Sequence, residues 1–335
     1  MISLKPYNTF GIDAKASDFI DISSSTQAID LFSNENLQNM NHLILGGGSN
    51  ILLRKDFDGI VIKNSILGIE VIKENEAEVE VKVGAGENWH AFVLFCLSNG
   101  YYGLENLSLI PGNVGASPMQ NIGAYGVEVK DFISKVTAIE IETGKVKAFD
   151  NTECQFDYRS SIFKTIYKGQ FFIVSVNFKL SKIPILKIEY GAIRQQLESK
   201  EIDLNHILPK DVSDAVIEIR KSKLPDPSEI GNAGSFFKNP IVRKAKRDEL
   251  LKNYNDLPSY AINDNSFKLA AGWLIEKAGW KGHRKGDCGV HKRQALVLVN
   301  FAHASGEEIY QLSEEILLSV KKKFGVELER EVNII

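Results

Sequence analysis

The sequence predicts an α+β fold in which strands dominate the first half of the chain. Between residues 60 and 180, apolar and polar residues alternate in several short segments, as half-buried strands require. Few long helical patterns interrupt those segments, so a regular βαβ repeat is not expected. The glycine-rich residues 46–50 lie between two strand-like stretches, so they do not form the GxGxxG fingerprint that precedes a helix in dinucleotide-binding βαβ units.

Local patterns predict the elements of the first half of the chain. A short helix is expected at 24–33, where serines can cap its start, and another at 88–98, which Gly100 is placed to end. A hairpin is expected at 135–149, turning at Thr143-Gly144. Strands are expected at 42–45, 51–53, 78–83 and 172–180.

Two prolines within residues 223–227 predict a domain boundary, because they halt regular structure. Beyond them, a helix is expected at 266–278, closing at Gly279. A final helix is expected at 307–324, with lysines 321–323 at its C-terminus, where cations suit the helix dipole. Its apolar side chains fall on one face: Ile309, Leu312, Ile316, Leu317, Val320 and Phe324.

Length, charge and cysteine content exclude several classes of protein. A chain of 335 residues can hold two or three domains, and its net charge of -3 argues against a surface that binds nucleic acid or anionic lipid as a whole. Cys96, Cys154 and Cys288 lack metal-ligand spacing, so neither a disulfide framework nor a metal site is expected. No secretory apolar region opens the chain, and no apolar run approaches the ~20 residues that span a bilayer. We therefore expect a cytoplasmic protein.

Two glycine-rich stretches attract attention as ligand sites. Residues 46–50 form the first glycine segment and residues 111–128 the second. Glycine lets the backbone approach a ligand and aim its N–H groups at an anion such as a pyrophosphate. Two tight structural loops explain the first segment equally well. The second is longer and adds Gln120, Asn121 and Tyr125, which can hydrogen-bond a planar ring system, so a bound ligand is the favoured interpretation there.

Several long motifs follow one another along the chain. The two glycine segments carry LGGGSNI at 45–51 and PGNVGASPMQNIGAYGVE at 111–128. The others are NTFG at 8–11, YRSSIF at 158–163, KLPDP at 223–227, GNAGSFFKNP at 231–240 and LEREV at 328–332. In this order they resemble the motifs of the UDP-N-acetylenolpyruvoylglucosamine reductase (MurB) family. Motifs of this length are highly specific, and together they span nearly the whole chain.

The resemblance implies a flavoenzyme of the vanillyl-alcohol-oxidase (PCMH) type. Two α+β subdomains, at 1–65 and 66–224, would grip FAD, and a substrate domain at 225–335 would return its last residues to the active site. FAD would be bound by Gly46, Gly47, Gly48, Ser49, Asn50, Pro111, Gly112, Gly115, Ala116, Gln120, Asn121, Gly123, Ala124 and Tyr125.

The reaction that the resemblance implies has two halves. NADPH would reduce FAD, and a hydride would then pass to C3 of the enolpyruvyl group of UDP-N-acetylglucosamine enolpyruvate. The product, UDP-N-acetylmuramate, is a peptidoglycan precursor. Such chemistry needs a hydride carrier, groups that stabilise an enolate, and an acid that protonates C2. A monomer is expected.

Three residues match catalytic positions of the family. Arg159 can hold the developing enolate-carboxylate through two parallel hydrogen bonds, although an arginine in a loop is more often a surface residue. Ser235 matches the proton donor to C2, although a serine among glycines is usually a turn residue. Glu331 matches the glutamate that assists Arg159. Glu329 competes with it, because LEREV has Arg330 where many members have proline.

Six further residues match substrate contacts of the family. Tyr190 lies in KIEYGAIRQQL, which resembles the loop of the type I members that covers the uridine diphosphate; a packed aromatic side chain before a helix is the plain alternative. Arg220 and Lys223 would meet phosphates of the substrate or of NADPH. The remaining three are Asn239, Tyr260 and Gln294.

Two other functions stay open at this stage. A flavin oxidase with the same cofactor fold would explain both glycine segments but not GNAGSFFKNP. A module that binds flavin or a sugar nucleotide without turnover would not need Arg159, Ser235 and Glu331 together.

Overall fold

A computed structural model describes residues 1–33 and 40–335, and the chain divides into two compact units. The first unit contains Met1–Ser17, Gly48–Phe57 and Lys223–Ile335, and the second contains Asp18–Gly47 and Asp58–Ser222. The chain leaves and re-enters each unit, so residues distant in sequence meet within one unit. The three-part division expected from the sequence stays a prediction.

The helices of the described residues range from short connecting elements to one long amphipathic helix. None of them combines the length and the apolar character needed to span a membrane. They are α1 (Ser25–Phe32), α2 (Trp89–Ser98), α3 (Gly191–Ser199), α4 (Pro209–Lys223), α5 (Lys244–Asn253), α6 (Ala271–Lys277) and α7 (Gly306–Phe324).

The strands divide between the two units. Those of the first unit are β1 (Ile2–Ser3), β4 (Ile51–Leu52), β13 (Gly231–Ser235), β14 (Ile241–Arg243), β15 (Ser259–Asn263), β16 (Ser266–Leu269), β17 (Arg284–Lys285), β18 (Cys288–Val290), β19 (Val297–Asn300) and β20 (Asn333–Ile334). Those of the second are β3 (His42–Leu45), β6 (Ile69–Glu74), β7 (Glu78–Gly84), β8 (Gly123–Ala124), β9 (Val127–Glu128), β10 (Ile133–Glu140), β11 (Val146–Asp150) and β12 (Phe171–Ser181). The chain passes from one unit to the other within β2 (Lys15–Ile22) and after the first residue of β5 (Phe57–Asn64).

The second unit is built on a five-stranded antiparallel sheet in the order β11-β10-β12-β7-β6. Its central strand, β12, is buried on both faces along most of its length, more completely than the alternating pattern predicted. Trp89 and Phe92 of α2 pack against Phe178 of β12, and this aromatic cluster holds α2 on the sheet. The predicted hairpin is confirmed, because Ile139 pairs with Val146 beside the Thr143-Gly144 turn.

The first unit contains a four-stranded antiparallel sheet, β13-β19-β18-β17, against which α7 packs. A capping box formed by Ser305 and Glu308 opens α7, and Gly325, with a φ of 62°, ends it. The predicted helix is therefore confirmed. Leu317 is only partly buried, and Ser313 is buried on the helix face in addition to the predicted apolar residues.

The helix predicted at 266–278 is wrong over its first third. Ser266–Leu269 forms β16, and the helix α6 begins only at Ala271. β16 is the middle strand of the sheet β14-β16-β15, so it pairs on both sides and buries Leu269. The pairing of two neighbouring strands decides this segment, and a local pattern does not reveal it.

Candidate functional site

The second glycine segment lies in the second unit as a loop that ends in the short hairpin β8-β9. Its start is anchored by backbone bonds, because the N–H groups of Val114 and Gly115 donate to the carbonyls of Glu87 and Ala85. A Cβ atom on Gly115 would lie 2.6 Å from the Cβ of Ala85, so no larger residue fits there. Any ligand would therefore be held by other N–H groups of the segment.

Gly47 and Gly112 bring the two glycine segments into contact. A Cβ atom on Gly47 would lie 3.0 Å from the Cα of Gly112 and 2.8 Å from Oδ1 of Asn113. Gly112 has a φ of 110°, a conformation that side chains of L-residues rarely adopt. Gly47 is exposed and Gly112 is partly exposed, so a ligand could reach the peptide groups of both. Such a bare surface fits the pyrophosphate of a dinucleotide.

Arg159 is held against the end of the second glycine segment. Its Nη2 donates to the carbonyl of Gly123 over 2.8 Å. The residue has a φ of 53° and lies in a tight turn in which Asp157 and Ser160 exchange backbone hydrogen bonds. A non-glycine residue at positive φ stores backbone strain, and such residues concentrate at functional sites. The structure therefore brings this sequence-predicted arginine to the predicted flavin loop.

Asn121 shapes the same loop from within. It is fully buried, and its Nδ2 donates to Oε2 of Glu128 over 3.0 Å and to the carbonyl of Asp157 over 3.2 Å. Its Oδ1 accepts from the N–H of Lys130 over 3.0 Å. Both donors of the amide are thus used within the protein. The neighbouring Gln120 accepts a hydrogen bond from Lys164 over 3.1 Å.

Tyr125, Tyr190 and Arg220 form one cluster in the second unit. The rings of Tyr125 and Tyr190 meet edge to face with centroids 5.4 Å apart, and the Arg220 side chain lies close enough to the Tyr125 hydroxyl to lower its pKa. Burial lowers the pKa of Arg220, which the neighbouring Tyr125 partly offsets. Burial likewise raises the pKa of Tyr125, against the opposing effect of Arg220. A partly buried guanidinium beside two phenols can attract an anion such as a phosphate.

Leu109 is clamped just before the second glycine segment. Its N–H donates to Nδ1 of His90 over 3.0 Å, and its carbonyl accepts from Nε of Arg220 over 3.1 Å. With a φ of 56°, Leu109 has a conformation that these two bonds help to maintain. Burial lowers the pKa of His90, and the charges of Arg220 and Lys221 lower it further, which favours the neutral ring that accepts this bond.

Ser235 lies in the first unit at the end of β13, immediately after a break in the register with β19. Gly234 makes this bend with a φ of 68°, and its N–H donates to Oδ1 of the buried Asn232 over 2.9 Å. The bend leaves Ser235 only partly buried, although buried residues follow it. A bulge of this kind redirects a side chain, as at many functional sites.

The C-terminal segment brings Glu331 next to Ser235. Phe237 and Arg330 form an isolated antiparallel bridge, and the N–H of Glu331 donates to the carbonyl of Phe236 over 2.8 Å. Glu331 therefore lies across from the residue that follows Ser235. Glu329 forms an ion pair with Lys238, and its side chain is 73% exposed. Of the two competing glutamates, Glu331 is thus the one beside the sequence-predicted serine.

The remaining predicted contacts of the first unit fall into separate places. Oδ1 of Asn239 accepts from the N–H of Ala271 over 2.9 Å, and Gln294 lies against Gly272, so both contact the first turn of α6. Tyr260 is exposed on β15, where it pairs with Lys268 of β16. Lys223 is the last residue of α4.

Comparisons with known proteins bear on both parts of the chain. A family model described as an FAD binding domain matches residues 23–150. A second, described as the C-terminal domain of UDP-N-acetylenolpyruvoylglucosamine reductase, matches residues 226–335. A protein of Flavobacterium johnsoniae named UDP-N-acetylenolpyruvoylglucosamine reductase is 51% identical over 334 residues, which cover 99% of this chain and 98% of the relative.

Solved structures show the same fold. UDP-N-acetylenolpyruvylglucosamine reductase (MurB) from Thermus caldophilus is similar with a TM-score of 0.68 and 21% identity, over 99% of this chain and 97% of that one. Substrate-bound p-cresol methylhydroxylase is similar with a TM-score of 0.50 and 11% identity, over 98% and 84% of the two chains.

The fold is of the vanillyl-alcohol-oxidase (PCMH) type, and the FAD-binding match together with the relative named a reductase defines an FAD-dependent oxidoreductase. The predicted fold class and the predicted FAD are thereby confirmed. The chain belongs to the UDP-N-acetylenolpyruvoylglucosamine reductase family.

Proposed function

We propose that this chain reduces UDP-N-acetylglucosamine enolpyruvate to UDP-N-acetylmuramate, with NADPH as the reductant. The name of the relatives, at up to 51% identity over nearly the full length, supports this substrate and a place in peptidoglycan precursor synthesis. Bound FAD would supply hydride transfer, from NADPH and then to C3 of the enolpyruvyl group. The protein's own residues would bind, orient and protonate the substrate.

The two glycine segments would hold the FAD. The approach of Gly47 to Gly112 supports this role, because neither residue has a side chain to cover its peptide groups, and Gly47 is exposed and Gly112 partly exposed. Tyr125 and Gln120 would line the flavin from the second segment. Asn121 would act by shaping this loop, since both N–H groups of its amide are bonded within it.

The observation that carries the proposal is the register in which Glu331 lies across from Phe236, the residue that follows Ser235. Hydride addition at C3 leaves negative charge that spreads onto the substrate carboxylate, and C2 must then receive a proton. Ser235 would donate that proton from its hydroxyl. Arg159 would stabilise the developing charge through two parallel hydrogen bonds, with Glu331 assisting at the carboxylate end.

The nucleotide part of the substrate would meet cationic and aromatic side chains. Arg220 is supported as a phosphate ligand by its partly buried position in the cluster with Tyr125 and Tyr190. Tyr190 would cover the diphosphate from its segment before α3. The other proposed substrate contacts are Lys223, Asn239, Tyr260 and Gln294.

One anaerobic experiment tests the reaction. NADPH should bleach the yellow flavin absorbance of the purified holoenzyme, and enolpyruvyl-UDP-N-acetylglucosamine should then restore it. A flavin that stays bleached after this addition would refute the substrate. A flavin oxidase would instead be reduced by its own substrate and reoxidised by oxygen, and a binding module would not bleach at all.

A further inference from the structure

Asn106 connects two segments that the chain separates by about sixty residues. Its Nδ2 donates to the carbonyl of Tyr125 over 2.9 Å and to the carbonyl of Lys187 over 2.8 Å. Asn106 is almost completely buried, with 2% of its surface exposed. The –NH₂ group has two hydrogens, and each has one of these carbonyls as its partner. One side chain therefore bonds both the second glycine segment and the approach to Tyr190.

The approach to Tyr190, residues 182–190, is not a regular element. We call it the Tyr190 segment. Ile183 and Ile185 are largely exposed, whereas Leu186 and Ile188 pack on the small apolar cluster formed by α3 and α4. At its start, Lys182 donates its N–H to the carbonyl of Ala77 and pairs with Glu74, and at its end the ring of Tyr190 meets that of Tyr125. A segment with few regular backbone bonds opens at low free-energy cost.

We propose that Asn106 is a positioning residue that fixes the Tyr190 segment to the second glycine segment. The two bonds from Asn106 reach Tyr125 and Lys187, and the rings of Tyr125 and Tyr190 meet a few residues further on. Both ends of this short stretch are thus held to the same loop. The segment keeps Tyr190 near Tyr125 and Arg220 before any ligand arrives, which reduces the ordering cost of binding. The catalytic consequence rests on the proposed function, whereas the tether itself does not.

Asn106→Asp is the direct test, because it preserves size and replaces both donated hydrogens with acceptor lone pairs. The Tyr125 and Lys187 carbonyls would then face a carboxylate. Asn151→Asp is the matched control: its Nδ2 also bridges two carbonyls, those of Lys130 and Ile133, over 2.7 Å each. Both variants lose the same kind of bond, but only Asn106 contacts the Tyr190 segment.

Steady-state kinetics of the holoenzyme give the first readout. Asn106→Asp should raise the KM for the UDP-sugar about tenfold, while the rate of flavin reduction by NADPH changes by less than about twofold. Asn151→Asp should leave both values near those of the parent protein. Equal KM values in the two variants would overturn the role of Asn106, and so would a loss of flavin reduction in Asn106→Asp alone.

Limited trypsin digestion tests the tether without any activity. The carbonyl that Asn106 holds belongs to Lys187, so it is part of the Lys187–Ile188 bond that trypsin cleaves. Cleavage there should be several-fold faster in Asn106→Asp than in the parent or in Asn151→Asp. Unchanged cleavage refutes the tether. If Asn106→Asp is cleaved faster but the UDP-sugar does not restore the flavin absorbance of the parent protein, the tether stands and only the proposed substrate is refuted.

A double variant separates positioning from general destabilisation. In a Tyr190→Ala background, Asn106→Asp should raise KM no further, because the residue through which it acts is gone. Additive effects would contradict the proposal. If Asn106→Asp does not fold, Asn106→Ser replaces it, because serine keeps one hydrogen-bond donor. Its KM for the UDP-sugar and its rate of trypsin cleavage should both rise, by less than in Asn106→Asp. Values equal to those of the parent protein would count against the tether.

Discussion

Phe237 and Arg330 pair across an isolated antiparallel bridge, and this pair sets the position of the C-terminal segment beside Ser235. Arg330 is anchored to α7, since it donates to Ser313 over 2.9 Å and to Glu314 over 2.6 Å, and lies over the ring of Tyr310 at 4.6 Å. The arginine that departs from the common family pattern therefore has a structural role.

Removal of the Arg330 anchor should loosen this register. We expect Arg330→Ala to lower the free energy of unfolding by about 1–2 kcal/mol, since partly exposed charged hydrogen bonds and a cation–π contact are lost together. Urea unfolding of the parent protein and of Arg330→Ala measures this difference in free energy. Lys321→Ala removes an exposed ion pair between the end of α7 and Glu327, which lies beyond the helix, and should change stability by less than about 0.5 kcal/mol. Equal effects would show that Arg330 is an ordinary surface residue.

Substitution of Glu331 should slow reoxidation of the flavin much more than substitution of Glu329. Glu331→Gln should slow reoxidation of the flavin by the UDP-sugar about tenfold or more, because Glu331 lies beside Ser235. Glu329→Gln should change this rate by less than about twofold, since it loses only its exposed ion pair with Lys238. Rapid-mixing absorbance of the reduced enzyme gives both rates. The opposite ranking would transfer the proposed role to Glu329.

Ser235→Ala should separate the two half-reactions. Flavin reduction by NADPH should stay near normal, whereas the second half-reaction should slow by ~10²-fold or more, because the proton for C2 is lost. Single-turnover absorbance measures each half. Ser235→Cys keeps an ionisable hydrogen and should recover part of the rate. Equal losses in both halves of Ser235→Ala would exclude the role as proton donor.

Gly47→Ala should weaken FAD binding. The new Cβ would lie 3.0 Å from the Cα of Gly112, and overpacking against backbone costs about 1–3 kcal/mol. We therefore expect FAD affinity to fall about tenfold or more in a fluorescence titration of the apoprotein. Gly191→Ala is the control, because its Cβ would meet no atom within 4 Å. Equal affinities would mean that the contact between the glycine segments does not shape the FAD site.

The free energy of unfolding should decrease below pH 6.5 because of His90. Its folded-state pKa lies below the ordinary 6.5, with burial as the first cause. Below pH 6.5 the His90 ring becomes protonated in the unfolded chain but stays neutral in the folded chain. The free energy of unfolding therefore decreases as pH falls toward the lowered pKa. His90→Asn keeps an acceptor for Leu109 and should flatten this decrease, as urea unfolding at pH 7.5 and 5.5 would show. His291, whose pKa is also lowered mainly by burial, should account for part of what remains. An unchanged slope would contradict the His90 assignment.

Strongly periodic elements were predictable from local sequence. The amphipathic pattern of α7 and the alternation of β7 correspond to the observed helix and strand, because each pattern records which face is buried. β16 was missed, since its conformation depends on pairing with β14 and β15 rather than on its own side chains. Asn106 and His90 carried no motif at all. Their importance comes from carbonyl and N–H groups of distant residues, and neither spacing nor composition encodes such partners.

The sequence by itself determined the class of fold, the flavin and the family, because long motifs record the backbone conformations that a cofactor requires. It also singled out Arg159 and Ser235. Tertiary structure decided which glutamate lies beside Ser235, how Gly47 meets Gly112, and how Asn106 holds the Tyr190 segment. Each of these depends on a register or a close approach between segments far apart in the chain, and such contacts are set by the packing of the whole unit rather than by local residues.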